Sequence, residues 1–420
     1  MPKFKKPTFE KLGAPFNRLW GASLASNIAD GLLKTAAPLL ATSLTKDPVI
    51  ISLLGALVTL PWLLFAMPIG ALVDRVDRRN ALALANSIRL AAAAALSISI
   101  VGGWVNIVFL YSVAFIIGIS EVLYDTTAQA LIPTVVKTKH LERANSRLEV
   151  GGTIFGELLG SPMSGVLYTL AVAAPFISAN AGIAVAFLLV LLIPGQYKKQ
   201  VEGISAQKVS IFADMKFGIK YLYQDKTLLK LVLFTTSMGL WFSATGSTFV
   251  LFVLDVLKVP TAWYGVVILA PAAGSIIGGT LASRISERFG RMNVMSLSIF
   301  LGGFVLIFVG LAPNVYVWLI LIVLQSALLT TWNVLLMSTY HQIIPNELFG
   351  RIHGTRRTLV WGVMPIGMLI GGFLAKIDLR APVVIGGVAC TLIALFGIPF
   401  VRRLSSLITE QQPSEQPTQA

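Results

Sequence analysis

Cysteine is nearly absent from this 420-residue chain, which carries only Cys390. A single thiol excludes a disulfide framework and any cysteine metal cluster. Histidine is scarce too: His140, His341 and His353 are widely separated, so no metal site is expected. Charge is in short supply, with 12% charged against 55% hydrophobic residues and a mean hydropathy of +0.79. A soluble globule of this size does not need that much apolar surface. No Gly-x-x-x-x-Gly-Lys-Ser/Thr motif occurs, so ATP hydrolysis is not expected, and no nucleophile–base arrangement marks an enzyme. No cofactor is expected either. Short alternating segments are missing, which excludes a β-barrel. A cleavable leader is not expected, because the chain is basic and polar to about Arg18 and its first apolar run is long enough to span a bilayer.

What is present is a series of long apolar runs, each able to form a membrane helix of about 20 residues. We read twelve spans, at about 16–44, 49–73, 80–102, 105–132, 145–171, 175–196, 228–257, 261–283, 292–312, 315–341, 356–376 and 381–402. The net charge of +14 could suggest nucleic acid, but its placement argues for a lipid bilayer instead. With both tails included, alternate connections hold 27 of the 33 Lys and Arg residues. The opposite connections hold only Lys46, Lys258, Lys376 and Arg380. This positive-inside bias places both termini in the cytoplasm and leaves no role for nucleic acid. The longest connection carries seven Lys between 198 and 230, and its 211–223 stretch reads as an amphipathic surface helix.

That connection divides the chain into a cytoplasmic tail (1–15), a six-helix bundle (16–196), a linker (197–227), a second bundle (228–404) and a polar tail (405–420). The halves repeat. Gly70-Ala-Leu has a partner at Gly279-Thr-Leu, 209 residues on, and Ile132-Pro133 has one at Ile344-Pro345, 212 residues on. Parallel six-span repeats describe a transporter with its substrate site near the bilayer midplane. The expected fold is therefore an all-α membrane protein with twelve transmembrane helices in two pseudo-symmetric six-helix bundles.

Intramembrane charges cluster in the first half. Span one presents Ser23, Asn27, Asp30 and Lys34 on one helical face, with Asp30 roughly 20 Å into the span at 1.5 Å per residue. Arg89 lies in span three, Glu121 and Asp125 in span four. Span five carries the polar ridge Glu149, Thr153, Glu157 and Ser161 beside the small-residue ridge Gly152, Gly156, Gly160 and Ser164. Small ridges let membrane helices pack closely. At mid-depth Asp30, Glu121 and Glu157 face only Lys34 and Arg89, so one carboxyl lacks an ion-pair partner and can carry a proton. Glu157 is the first candidate and Asp30 the second. An Asp30–Lys34 pair on adjacent turns, or a purely structural network around Arg89, remain alternatives. The second half offers an aromatic, weakly polar set suited to contact with an amphipathic substrate: Trp241, Thr245, Gln325, Trp332, Asn333 and Trp361. Ordinary packing is the alternative for each.

The turn after span two, Gly70-Ala-Leu-Val-Asp74-Arg75-Val-Asp77-Arg78-Arg79, resembles the signature of the major facilitator superfamily. Asp77 stands where that family usually has Gly. A second copy keeps Gly279, Leu281, Arg284, Gly290 and Arg291 but has Ser283 in place of an Asp. Arg18-Leu-Trp20, Asn27-Ile-Ala-Asp30-Gly31, Leu123-Tyr-Asp125, Ala130-Leu-Ile-Pro133 and Arg143-Ala-Asn145-Ser146 resemble bacterial siderophore and macrolide efflux members. The resemblance implies the major facilitator fold and alternating-access export of amphipathic small molecules from a bacterial cell, coupled to protons, by a monomer. Ser161-Pro162-Met-Ser-Gly165 keeps only part of the antiporter signature. The resemblance also implies an inner gate built from Gly70, Asp74, Arg75, Arg78 and Arg79 with Asp125 as its acidic partner. The basic residues could instead be topology anchors alone. An importer, a lipid-type flippase and a non-transporting sensor are the remaining functional alternatives.

Overall fold

The computed structural model describes residues 12–411 apart from 196, 198–210 and 345. Most of the lysine-rich linker and both tail ends expected from the sequence lie outside the described residues. In chain order the helices are α1 (Ala14–Leu44), α2 (Pro48–Val73), α3 (Arg78–Val101), α4 (Ile107–Val135), α5 (Leu141–Gly151), α6 (Ser161–Leu170) and α7 (Ala174–Leu191). They continue with α8 (Ile211–Gln224), α9 (Lys226–Gly246), α10 (Phe249–Leu251), α11 (Thr261–Val267) and α12 (Ala270–Phe289). The last are α13 (Arg291–Leu311), α14 (Val315–Ile343), α15 (Asn346–Gly362), α16 (Met364–Ala375) and α17 (Ala381–Gln411). A π-helical segment, Gly152–Gly160, joins α5 to α6 without a break. Among the described residues, ten helices are long and apolar enough to cross a membrane. Two further long runs, α1 and Leu141–Leu170, carry the polar ridges noted above.

The described residues fall into two compact units. The first comprises residues up to 36 with 64–105 and 115–202; the second comprises 37–63, 106–114 and 203 onward. In the first unit α3 packs on α7, and the Asn180 amide donates to Ser97 Oγ at 2.8 Å. Helix α1 meets the π-helical segment so closely that a Cβ at Gly31 would stand 2.0 Å from the Gly156 carbonyl oxygen. The Ser164 hydroxyl donates to the Leu32 carbonyl at 2.8 Å. These contacts explain the small-residue ridge: only glycine lets two helix backbones approach to carbonyl contact. Asp77 has a local task. Its carboxylate caps α3 by accepting from the Asn80 N–H at 3.0 Å and also accepts from the Tyr197 N–H at 2.6 Å.

In the second unit α13 packs on α14 and α17, α12 on α14, and α9 on α16 and α17. The close-approach device recurs. A Cβ at Gly367 would lie 2.1 Å from the Leu240 carbonyl oxygen and one at Gly371 2.2 Å from that of Ala244. The core joins Phe234, Met238, Met295, Trp332, Leu336 and Tyr340. At the end that holds residues 45–47, Lys46 pairs with Asp255 at 3.6 Å and Asp47 with Lys376 at 3.1 Å. Asp47 also caps α2, accepting from the Val49 N–H at 2.8 Å. That bond, with the help of Lys376, holds its carboxyl below the usual carboxylate range.

Two outcomes follow from this packing. Gly367→Ala should lower the melting midpoint of purified protein by several degrees, since overpacking costs about 1–3 kcal/mol. Gly246→Ala, whose added Cβ would meet nothing within 4 Å, should leave the midpoint unchanged or higher. A carboxyl depressed in the folded state stabilises above its unfolded pKa and loses that contribution as pH falls through the folded one. Asp47→Asn should therefore melt below wild type at pH 7, and the gap should close below about pH 3.9; a gap independent of pH would contradict the assignment.

Candidate functional site

The first unit contains a cavity of about 710 Å³ whose lining is mainly polar. Helix α1 contributes Ser23, Ser26, Asn27, Asp30 and Lys34; α4 contributes Tyr124, Asp125 and Gln129. Asn145 and Glu149 come from α5, Thr153 and Glu157 from the π-helical segment, and Ser161 from α6. The ridge spaced by four along 149–161 thus lines the cavity through the π turns as well as the α turns. π-Helical turns inside α-helices occur frequently at functional sites.

Behind this wall lies Arg89, completely buried. Its guanidinium pairs with Asp30 and donates from Nη1 to Ser26 Oγ at 2.8 Å. It also lies 5.6 Å over the Tyr124 ring. Lys34 Nζ pairs with Glu121 Oε1 at 3.5 Å. Asp30 and Lys34 therefore find partners on α3 and α4 rather than each other. With those two pairs formed, Asp125, Glu149 and Glu157 face the cavity without an ion-pair partner among the described residues. Asn27 is held toward Ser23, its amide donating to the Ser23 carbonyl at 2.7 Å. The cavity is thus polar, net acidic, and backed by a neutral pair of ion pairs. Such a space can take up protons or a positively charged guest.

The gate residues lie partly elsewhere. Gly70 lies in the last turn of α2 with open space where a Cβ would be, and Asp74 and Arg75 are exposed in the turn that follows. Arg78 is buried with its Nε unpartnered. Arg79 donates to the Leu191 carbonyl and Arg18 to that of Leu192, so both guanidiniums cap the end of α7. Among the described residues no ion pair joins Asp74, Arg78 and Asp125; Asp125 faces the acidic cavity instead.

The second unit holds a separate cavity of about 270 Å³ that includes Gln325, Trp332 and Asn333. The other residues expected to contact substrate lie outside it. Trp241 packs on the core. The Thr245 hydroxyl donates to the Phe242 carbonyl at 2.7 Å, and its methyl fills the space that a Cβ on Gly386 would need. Trp361 stacks under Arg357 at 4.3 Å and meets Trp62 edge-on at 5.9 Å. Sequence reasoning did not place Tyr124, Gln129 and Asn145 in the polar cavity, whereas Glu149 lines it together with the rest of its ridge. Asn145 was legible only as a motif residue at the start of span five. No group of three His, Cys, Asp or Glu among the described residues is arranged to hold a metal ion.

Comparison with known proteins places this geometry in context. Residues 12–419 match the family of transmembrane secretion effectors. A relative named macrolide efflux protein A from Streptococcus pyogenes is 22% identical over 363 residues, covering 86% of this chain and 89% of the relative. Its namesake from Enterococcus faecalis is 23% identical over 320 residues, covering 76% and 97%. Among solved structures, a bacterial homologue of the iron transporter ferroportin superposes with a TM-score of 0.74 at 14% identity, covering 94% of this chain and all of the other. That likeness carries the fold alone. With nearly its whole length matched, the chain belongs to the transmembrane secretion effector family and is an efflux-type secondary transporter of the major facilitator superfamily.

Proposed function

We propose that this transporter exports amphipathic small molecules in exchange for protons, by alternating access across a bacterial cytoplasmic membrane. The observation that carries the reading is the charge balance of the first cavity. Asp30–Arg89 and Lys34–Glu121 neutralise one another, and Glu157 and Asp125 remain on the wall with no ion-pair partner among the described residues. A carboxylate in such a space can hold a proton or face a guest, and a site that does each in turn exchanges one for the other. Glu157 is assigned as the proton carrier, with Asp30, Arg89 and Glu121 as the network that sets its surroundings. Asn27 and Lys34, on the same wall, are assigned to the substrate.

The same reading takes α1 and the Leu141–Leu170 run as spans alongside the ten apolar helices, making twelve in two six-helix bundles. Their lengths support this, since about 20 residues suffice to cross a bilayer. Both chain ends then face the cytoplasm, and the protein works as a monomer. The turn from Gly70 to Arg79 serves as the inner gate, with Asp125 its acidic counterpart. The tie from Arg79 to the α7 carboxyl end supports a turn that moves with its own helices. The names of the relatives make a macrolide the first cargo to test.

In inverted membrane vesicles with an acidic lumen, wild type should accumulate a radiolabelled macrolide. Glu157→Gln should lose at least about fivefold of the pH-driven component while exchange at equal pH stays within about twofold. An unaltered dependence on the pH gradient would remove Glu157 from the coupling role. Asp30→Asn should fail differently. It leaves the fully buried Arg89 without its counter-charge, and breaking such a pair costs about 3–5 kcal/mol. Asp30→Asn should therefore melt well below wild type, and adding Arg89→Gln should restore at least half of the lost midpoint without restoring transport. A wild-type midpoint for Asp30→Asn alone would show that the pair does not hold the unit together.

A further inference from the structure

The cavity in the second unit is untouched by the exchange scheme, and its chemistry is opposite to that of the first. It lies among α9, α13, α14, α15, α16 and α17. Most of its wall is apolar, including Met238, Phe242, Ile299, Leu306, Trp332 and Leu336. Two amide side chains, Gln325 and Asn333, and the Arg356 guanidinium share that wall, and no Asp or Glu lines it among the described residues. Gln325 is 97% buried by the residual 3% exposure of its surface. The one hydrogen bond it makes among the described residues is long, its carbonyl accepting from the Ser326 hydroxyl at 3.5 Å, so its amide N–H groups are unspent. Arg356 stacks 4.6 Å over the Tyr340 ring while its Nε is buried and unpartnered.

The Arg356 Nε is a buried donor without an acceptor, which costs free energy, and the half-buried guanidinium it belongs to has no anion beside it among the described residues. An occupant supplying oxygen lone pairs and negative charge meets both needs. The apolar wall requires the rest of that occupant to be hydrocarbon. At about 270 Å³ the space lies just below the usual range for drug-sized ligands, about 300–1,000 Å³. It suits one short chain and is too small for a two-chain phospholipid or a macrolide ring.

We propose that this cavity binds a single-chain amphiphile carrying a carboxylate, with Arg356 and Gln325 holding the oxygens and the Met238–Trp332 wall holding the chain. Gln325, Trp332 and Asn333, grouped from the sequence as substrate contacts, thereby acquire a ligand of their own. The proposal goes beyond proton exchange because the two cavities share no residue, so either can fail without the other.

Cys390 supplies the readout. It is the chain's only thiol, it is buried, and it lines this cavity, so a thiol-reactive fluorogenic dye reports unfolding of purified full-length protein through one site. In a non-ionic detergent, submicellar decanoate should raise the melting midpoint by at least about 3 °C, and decylamine by less than about 1 °C. Arg356→Gln and, separately, Gln325→Leu should each reduce the decanoate shift below about 1 °C. The proposal is overturned if decanoate gives no shift, if decylamine stabilises equally, or if the shift survives both substitutions. Should one variant fail to melt cooperatively, the other variant and the decanoate–decylamine contrast on wild type still decide.

Discussion

A guanidinium with no exposure to solvent sets the terms for the first unit. Arg89 cannot shed its proton, so its charge must be met inside the helix bundle or the bundle does not form. Asp30, Ser26 and the Tyr124 ring meet it, and these three lie on α1 and α4. One side chain on α3 thereby fixes the rotation of two other helices about their axes. That rotation turns Asn27 and Lys34 from α1, and Asp125 from α4, into the same space. The acidic cavity is in this sense a by-product of satisfying Arg89, and its unpaired carboxylates are those left over once that demand is met.

Much of this arrangement was legible in the sequence because charges are so rare in it. Five ionisable groups at mid-depth can be paired on paper, and the count leaves one carboxyl over. The structure pairs Asp30 with Arg89 and Lys34 with Glu121, partners 59 and 87 positions apart, and Glu157 is outside both pairs. Which acids share a cavity was harder to read. Asp125 was assigned to the gate from a family resemblance, but a resemblance in sequence does not fix the direction in which a side chain faces. In the second unit the difficulty is greater, because helices apolar on all sides have no single periodic face. Gln325, Trp332 and Asn333 lie on one cavity wall, whereas Trp241 and Thr245, equally plausible by spacing, serve packing.

Other features have no local signature. The pairs Lys46–Asp255 and Asp47–Lys376 join segments more than 200 residues apart, and nothing in either segment names its partner. Asp77 looked like a departure from a family pattern. It proves to be a helix cap that also ties down the backbone at Tyr197, a task that glycine has no side chain to perform. The π-helical turns at Gly152–Gly160 were likewise invisible, since the spacing of the polar ridge by four reads as a plain α-helix.

The glycine contacts between α1 and the π-helical segment, and between α9 and α16, have a consequence in genetics. Every missense change that one base can make in a glycine codon introduces a side chain with a Cβ. At Gly31, Gly367 and Gly371 that atom would fall about 2 Å from a carbonyl oxygen of the neighbouring helix. No conservative neighbour exists in codon space, so selection at these three codons can act only by elimination. A random mutational library of this gene should therefore be depleted there as strongly as at Arg89, although these glycines carry no charge.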